Sequence, residues 1–291
     1  MKLSHNRAVL LMVAANLMWS IAGVVTRHLE HAQKFEVTFW RSFFTVLCLL
    51  VILPVMQGRG VFARMRRGGA ALWVSGLCWS GMFTFFMLGI MLTTVANVLV
   101  TMALTPLLTA LAARLFIGYR LPIRTWLAIG VAGFGIAYMY AGQLGQGVSL
   151  AGTLVALCVP ISGAANWTVN QHAHAQGHDI DLIPAVLIGA VVSALFTLPL
   201  AWPFQASVHD LAWLSGLGLI QLAIPCTLVM LCTKVLKAPE VALLGLLEVI
   251  FGILLTWVGA GEVPTRDVFV GGALVIGALV ANEMYAWRGR A

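Results

Sequence analysis

The sequence predicts an all-α integral membrane protein with ten transmembrane helices, arranged as two inverted repeats of five helices. Two observations predict the membrane class: 61% of the 291 residues are hydrophobic, and only 9% are charged. A soluble globular domain carries about 25% charged residues. The composition therefore fits a chain whose surroundings are mostly lipid. A third observation, the spacing of the charged residues, gives the number of helices.

The uncharged intervals predict where the helices lie. Crossing the hydrocarbon core takes about 20 helical residues, and residues 68–113 provide 46 positions without a charge, which suits two helices joined by a turn. Residues 125–178 provide 54 positions without Asp, Glu, Lys or Arg, again enough for two helices. Numbered in chain order, the ten predicted segments are 8–27, 35–56, 70–92, 95–116, 123–141, 150–171, 181–202, 210–233, 240–260 and 267–287. The short loops between them leave no room for a soluble domain.

The distribution of Lys and Arg predicts the orientation of these segments. With a cytoplasmic N-terminus, thirteen of the 17 basic residues fall on the inner side and four fall on the outer side. Cytoplasmic loops of membrane proteins carry such an excess of positive charge. We therefore expect both termini to be cytoplasmic, in a bacterial-type inner membrane, and we attribute the net charge of +7 to topology and not to a nucleic-acid partner. The outer basic residues are Arg27, Lys34, Arg41 and Arg266.

Two stretches of the chain resemble each other at a distance of about half its length. "RLPIRTWLAIGVAGFGI", from Arg120, aligns with "EVPTRDVFVGGALVIGA", from Glu262, at a shift of 142 residues. The identities are Pro122 with Pro264, Arg124 with Arg266, Gly130 with Gly272 and Gly135 with Gly277. Because each half holds five segments, the second half enters the membrane upside down. We expect residues 1–145 to form the first repeat and residues 146–291 the second, an arrangement typical of secondary transporters.

Three further stretches carry a family resemblance. "ANLMWSIAGVVTRH", "FEVTFWRSFFTVLCLL" with Arg41, and "ALTPLLTALAARLFIGYRLP" with Pro106 resemble the first, second and fourth helices of the drug/metabolite transporter (DMT) superfamily, in its EamA-type branch. The resemblance covers essentially the whole chain and suggests the YddG-like aromatic amino-acid exporters. The family often ends its fourth helix in Gly-Glu. Here Tyr119 follows Gly118, and only the second half keeps the pair, as Gly261-Glu262.

Polar and aromatic residues inside the predicted segments are candidates for a substrate pathway, because polar groups in lipid face the bundle interior or water. The candidate substrate-binding residues are Asn16, Trp19, Ser20, Ser75, Trp79, Thr101, Ser162, Asn166, Trp167, Gln221 and Glu248. A structural alternative stays open for each type. Ser and Thr often bond the carbonyl four residues earlier, Trp often anchors at the membrane surface, and buried amides can join helices.

The predicted cavity is aromatic, rich in amides and sulfur, and without a deep Lys or Arg. Its chemistry argues against phosphorylated substrates, which favour buried cations. We expect export of small neutral or zwitterionic metabolites, above all aromatic or other apolar amino acids, by alternating access through a central cavity. A multidrug or lipophilic-cation exporter of the same fold is the first alternative. An integral membrane lipid-modifying enzyme is the second, although no catalytic residue is identified and an enzyme is not expected.

Glu248 is a carboxylate in an almost wholly apolar stretch, "VALLGLLEVIFGILLTWVG". It lies roughly 12 Å along the ninth segment at 1.5 Å per residue, where an ionised carboxylate needs a cation, donors or water. In one interpretation a neutral Glu248 donates to a carbonyl or amide near Asn16 or Gln221 and ties helices together. In the other it faces the wet cavity and attracts a substrate ammonium group or exchanges a proton.

The remaining chemistry-bearing residues predict no cofactor and no metal site. "HAHAQGHDID", with His172, His174 and His178, is interpreted as a solvated inner loop. The five cysteines fall in apolar runs without paired spacing and are interpreted as small buried hydrophobes. Segments 5 and 10 offer few polar residues and are interpreted as packing elements, with Gly277-x-x-x-Ala281 as a small-residue face. We expect the partners to be a small-molecule substrate and the lipid bilayer, and the working unit to be a monomer.

Overall fold

A computed structural model describes residues 3–118, 122–141, 150–175, 182–232, 235–236 and 238–288. All regular structure in these residues is helical. Eight helical stretches are long and apolar enough to cross a membrane, and two of these, Val95–Phe116 and Val208–Cys232, combine several consecutive helices. The stretch Leu244–Ala260 is also apolar but shorter. The prediction of an all-α multi-pass membrane protein is therefore confirmed.

Each of the ten predicted segments is helical. In the first half the helices are α1 His5–Thr26, α2 Lys34–Gln57, α3 Val61–Arg66, α4 Ala70–Leu92, α5 Val95–Met102, α6 Thr105–Ala112, the π-helix π1 Ala113–Ile117 and α7 Ile123–Ala141. In the second half they are α8 Leu150–Ala175, α9 Ile183–Ala201, α10 Val208–Gly216, the π-helix π2 Leu217–Ala223, α11 Ile224–Cys232, α12 Ala238–Ala260 and α13 Arg266–Arg288. Segment 4 thus comprises α5, α6 and π1, and segment 8 comprises α10, π2 and α11. The short helix α3, in the basic loop between segments 2 and 3, was not predicted.

Prolines explain where segments 4 and 8 depart from a continuous α-helix. A helical proline lacks an N–H donor, and its ring clashes with the carbonyl four residues earlier. Pro106 lies four residues after Met102, where α5 ends. Pro225 lies four residues after Gln221, which belongs to π2. Both segments are therefore interrupted inside the span, and π-helices of this kind are frequent at functional sites.

The helix packing is unchanged when the two halves are exchanged, so that segment 1 becomes 6, segment 3 becomes 8 and so on. Segment 1 packs on segment 9, as segment 6 packs on segment 4. Segment 3 packs on segments 6 and 7, as segment 8 packs on segments 1 and 2. The pairs 2 with 7, 4 with 9 and 5 with 10 are their own counterparts. In addition, segments 4 and 9 both end at a left-handed glycine, Gly118 (φ 74°) and Gly261 (φ 67°), a conformation that glycine adopts without strain.

The pair α7 and α13 meets at two glycines. A Cβ atom on Gly135 would lie 2.8 Å from the Gly271 carbonyl oxygen, and one on Gly271 would lie 2.5 Å from the Gly135 carbonyl oxygen. The two backbones therefore approach closely, as small residues allow in membrane helices. The predicted packing role of these helices agrees with this contact. The predicted small-residue face is wrong, because Gly277 is exposed and a Cβ there would meet nothing within 4 Å.

Gly135→Ala should destabilise the protein, because the added methyl group has to displace the backbone of α13. Overpacking of this kind costs about 1–3 kcal/mol, and the melting temperature of the purified protein in detergent should fall. Gly133→Ala is the matched control on the same helix, since a Cβ there meets nothing within 4 Å. Equal melting temperatures for the two variants would contradict the close contact between α7 and α13.

Candidate functional site

Four charged side chains are buried in the described part of the chain: Glu36, Arg41, Asp210 and Glu248. Glu36 accepts hydrogen bonds from the backbone N–H groups that follow α9. Asp210 accepts bonds from four backbone N–H groups in the loops before α2 and α10. These two carboxylates organise loops. Arg41 and Glu248 lie inside the bundle and define the candidate site.

Arg41 is a deep cation that the sequence did not reveal. It lies seven residues into α2, about 10 Å along the axis, and its side chain is 0% exposed. Its Nη1 donates to Gln221 Oε1 at 3.1 Å and its Nη2 donates to the Phe83 carbonyl oxygen at 2.6 Å. Its Nε is buried without a hydrogen-bond partner. The expectation of a site without a deep Lys or Arg is therefore wrong, whereas the assignment of Arg41 to the outer side stays a prediction.

The contact between Arg41 and Gln221 depends on a close approach of α2 and π2. A Cβ on Gly218 would lie 2.6 Å from Phe44 Cβ and 2.9 Å from the Thr45 backbone nitrogen. Thr45 Oγ1 in turn donates to the Gly218 carbonyl oxygen at 3.2 Å. Gly218 thus allows α2 to lie directly on the π-helix, which brings Gln221 to Arg41.

Glu248 makes no hydrogen bond or ion pair through its side chain with any described residue, although it is only 9% exposed. Its backbone carbonyl accepts a hydrogen bond from Ser20 Oγ at 3.1 Å, which ties α1 to α12. The expected structural alternative, a Glu248 side chain bonded to Asn16 or Gln221, is not formed. Asn16 instead donates to the Met12 carbonyl oxygen at 2.7 Å, and its Oδ1 is buried without a partner.

Cys226 lies near both Arg41 and Glu248. It is buried in α11, against Trp19 of α1, and both Arg41 and Glu248 are close enough to interact with it electrostatically. Sequence reasoning assigned Cys226 to the apolar core. Its position one residue after Pro225 was a signal, because the proline marks the interrupted part of segment 8.

One face of α4 carries an aromatic strip towards Arg41. Ser75, Trp79 and Phe83 are spaced by four residues and therefore share a face of α4. The Trp79 and Phe83 rings lie 5.5 Å apart, and the Arg41 guanidinium lies 5.9 Å from the centre of the Phe83 ring. Ser75 Oγ donates to Asn166 Oδ1 on α8 at 2.6 Å, whereas the Asn166 Nδ2 is buried without a partner.

The other predicted site residues occupy different surroundings. Thr101 Oγ1 donates to the Asn97 carbonyl oxygen at 2.7 Å and contacts the Tyr140 hydroxyl at 3.0 Å, which directs it to α7. Ser162 lies against Gly81 of α4, where a Cβ would come within 2.6 Å of its Oγ. Trp167 is half-buried next to Asn166 in the sequence. Of the predicted set, Gln221 contacts Arg41, and Trp19 and Glu248 lie near Cys226.

A second network joins the predicted outer ends of three helices. Arg27 Nε lies 2.7 Å from Glu262 Oε2, and its Nη1 and Nη2 donate to the carbonyl oxygens of Ile90 and Thr93. Glu262 Oε1 also accepts from the Val95 backbone N–H at 2.7 Å. The pair therefore fastens the end of α1 to the α4–α5 turn and to the linker between α12 and α13.

The described residues contain no group of three or more His, Cys, Asp or Glu side chains that could hold a metal ion. Most of the "HAHAQGHDID" stretch lies outside the described residues, so its interpretation as a solvated loop stays a prediction. His172 is exposed near the end of α8. The five cysteines are free thiols, two buried and three half-buried.

Comparisons with known proteins agree with this architecture. A sequence profile described as "EamA-like transporter family" matches residues 6–141 and 150–282. The "Uncharacterized transporter YdfC" of Bacillus subtilis (strain 168) is 24% identical over 187 residues, covering 64% of this chain and 60% of that protein. The match therefore spans about three fifths of the relative's length. A crystal structure of a protein superposes with a TM-score of 0.64 at 20% identity, covering 97% of this chain and 99% of that one, which shows the fold alone. The matches do not distinguish the YddG-like exporters within the family.

Ser75→Ala should lower stability more than Ser80→Ala on the same helix. The first change removes the donor to Asn166 and leaves a buried amide with neither side-chain group paired, which costs about 1–3 kcal/mol. Ser80 is also buried, and its hydroxyl forms no hydrogen bond within the described residues. Melting curves of both purified variants test this difference, and identical melting temperatures would show that the Ser75–Asn166 bond contributes nothing.

Proposed function

The chain belongs to the EamA-like transporter family, and on that premise we propose that it exports small zwitterionic metabolites, above all aromatic or other apolar amino acids. The proposed mechanism is alternating access around a site between the two halves. As a member of this family the chain is a multi-pass membrane transporter of small molecules.

The observation that carries the proposal is a buried guanidinium and a buried carboxyl group that do not pair with each other. Arg41 donates two hydrogen bonds and keeps an unpartnered Nε, and Glu248 makes no side-chain bond with the described residues. Burying unpaired charge costs several kcal/mol per ion unless something compensates it. A zwitterion supplies both opposite charges at once. The aromatic side chains of Trp19 and Trp79 nearby suit an apolar substrate side chain.

The exchange symmetry of the packing supports alternating access. In inverted-repeat transporters the substrate site lies where the two repeats meet, and interrupted helices line it. Here Gln221 lies in the interrupted segment 8 of the second half, whereas Arg41 and Phe83 belong to the first half. We take residues 1–145 and 146–291 as the two repeats that rock against each other.

One observation favours the alternative, a lipophilic-cation exporter. Glu248 is an acceptor without a donor, and a permanent cation would satisfy it. The fully buried Arg41 opposes this alternative, because it would repel a cation held close to Cys226. The same family membership supports transport over a lipid-modifying enzyme. Of the two transport functions, zwitterion export satisfies both charges.

Transport should depend on the charge of Glu248. Purified protein in proteoliposomes should exchange labelled L-phenylalanine or L-tryptophan, and Glu248→Gln should cut the flux at least tenfold because it keeps the shape of the side chain but removes its charge. Trp79→Ala and Asn166→Ala should also reduce the flux. Normal flux in Glu248→Gln would leave this residue as a packing element only.

Glu30→Gln is the matched control for this experiment. Glu30 lies in the loop before α2, and its side chain is 55% exposed. The substitution is chemically the same, but Glu30 is not among the hydrogen-bond partners of Arg41. Its flux should equal that of the parent. Equal losses in Glu30→Gln and Glu248→Gln would point to a general effect of charge on folding and would contradict a local role.

The proposed orientation places both termini in the cytoplasm of a bacterial-type inner membrane, with the protein acting as a monomer. A periplasm-active reporter should be silent when fused at Ala291 and active when fused near Gln143, because the Lys and Arg bias places these positions on opposite sides. The reverse pattern would overturn the orientation and, with it, the direction assigned to each repeat.

A further inference from the structure

We infer that Arg41, held by Gln221 and the Phe83 carbonyl, is a recognition site for the carboxylate of the substrate. The inference rests on the proposed function and deepens it, because it states which group of the substrate decides binding. It assigns the ligand class as small molecules with a free carboxylate, and it separates these from their amides and esters, which resemble them in every other respect.

Arg41 lacks a counter-ion within the described residues. It is 0% exposed, and no described carboxylate forms an ion pair with it. The buried carboxylates Glu36 and Asp210 are already used by backbone N–H groups of the loops. A cation in this position needs an anion to offset its desolvation. We take this anion to be the carboxylate of the substrate.

The geometry of the Arg41 guanidinium also favours a carboxylate ligand. A guanidinium has five N–H donors in a rigid plane, and the described contacts use one donor on Nη1 and one on Nη2. Both contacts fix the plane, and the Nε atom is left buried and unpartnered. A carboxylate binds such an edge with two parallel hydrogen bonds. The two neutral acceptors, an amide and a carbonyl oxygen, orient Arg41 without cancelling its charge.

The groups around Arg41 suit the remainder of an apolar amino acid. Glu248 and Arg41 are both near Cys226 but are not bonded to each other. We place the two ends of a zwitterion at these groups, the carboxylate at Arg41 and the ammonium group at Glu248. Phe83 and Trp79 extend from Arg41 along α4 and provide an apolar surface for the rest of the molecule.

A purely structural role for Arg41 makes different predictions. As a clamp between α2, α4 and π2, Arg41 would stabilise the fold equally with or without a carboxylate ligand. The protein would then not discriminate between an amino acid and its amide. The two roles are therefore separated by ligand chemistry in the unmodified protein, without any variant that might fail to fold.

The first experiment compares ligands on the parent protein. In proteoliposomes, exchange of labelled L-phenylalanine is competed with unlabelled L-phenylalanine, L-phenylalaninamide, phenethylamine and 3-phenylpropionate. We expect the amide and the amine to compete at least tenfold more weakly than the amino acid, and phenylpropionate to compete better than phenethylamine. Equal competition by acid and amide would overturn the inference while leaving transport itself established.

The second experiment places a carboxylate inside the protein. Gln221→Glu puts an anion within reach of Arg41 Nη1, which Gln221 contacts at 3.1 Å. We expect a melting temperature equal to or above that of the parent and at least a tenfold loss of apparent affinity for L-phenylalanine. Gln205→Glu is the matched control. Gln205 is exposed in the α9–α10 loop, and its side chain accepts a hydrogen bond from Gln33. Unchanged affinity in Gln221→Glu would overturn the inference.

A third measurement separates failure of this inference from failure of the proposed function. Thermal stabilisation of the detergent-purified protein is compared for phenylpropionate and phenylpropionamide, and it needs no transport. Stabilisation by the acid alone, lost in Gln221→Glu, supports the carboxylate site even if no amino acid is exchanged, in which case the proposed amino-acid export is wrong. Equal effects of acid and amide, or no effect of either, would overturn the carboxylate site.

Discussion

Arg41 and Glu248 are buried ionisable groups inside the same apolar bundle, and no hydrogen bond or ion pair within the described residues joins them. Contacts of the surrounding helices hold each group in place. Gly218 lets α2 lie on the π-helix, the π-helix brings Gln221 to the guanidinium, and Ser20 fixes α12 to α1 through the Glu248 carbonyl oxygen. A direct ion pair would satisfy both groups within the protein. Its absence is the physical basis for the proposed zwitterionic ligand.

The fold could be predicted largely from the sequence, because length and hydrophobicity alone decide whether a segment crosses a membrane. The boundaries of α4 were predicted to the residue, and those of segments 4 and 8 to within one or two residues, although their proline interruptions were not predicted. The depth of Arg41 could not be predicted, because counting basic residues assigns each to a side and not to a depth. The packing face of α13 was also missed. Several small-residue patterns lie around that helix, and only the partner helix decides that Gly271 is the point of contact.

The site could be predicted in part. Polar residues spaced along one helix, such as Ser75 with Trp79, are visible in sequence, as is a lone carboxylate such as Glu248. The partners that give these residues a role are distant in the chain: Ser75 bonds Asn166, and Arg41 bonds Gln221. Such contacts depend on how helices are arranged and not on spacing within a helix. The structural alternative, in which a hydroxyl bonds the carbonyl four residues earlier, was partly right. Ser20 makes this bond to Asn16 and also donates to the Glu248 carbonyl.

The bonds between Arg27 and Glu262 have a mechanical consequence for the site. They fasten the ends of α1 and α12 to the α4–α5 turn at one face of the bundle. Under the proposed alternating access, relative motion of these helices would be a tilt about that fastened end. Glu248 lies about 18 Å from the end of α12, at 1.5 Å per residue. A tilt of about 10° over that length would move Glu248 by about 3 Å, enough to make or break a hydrogen bond to a ligand.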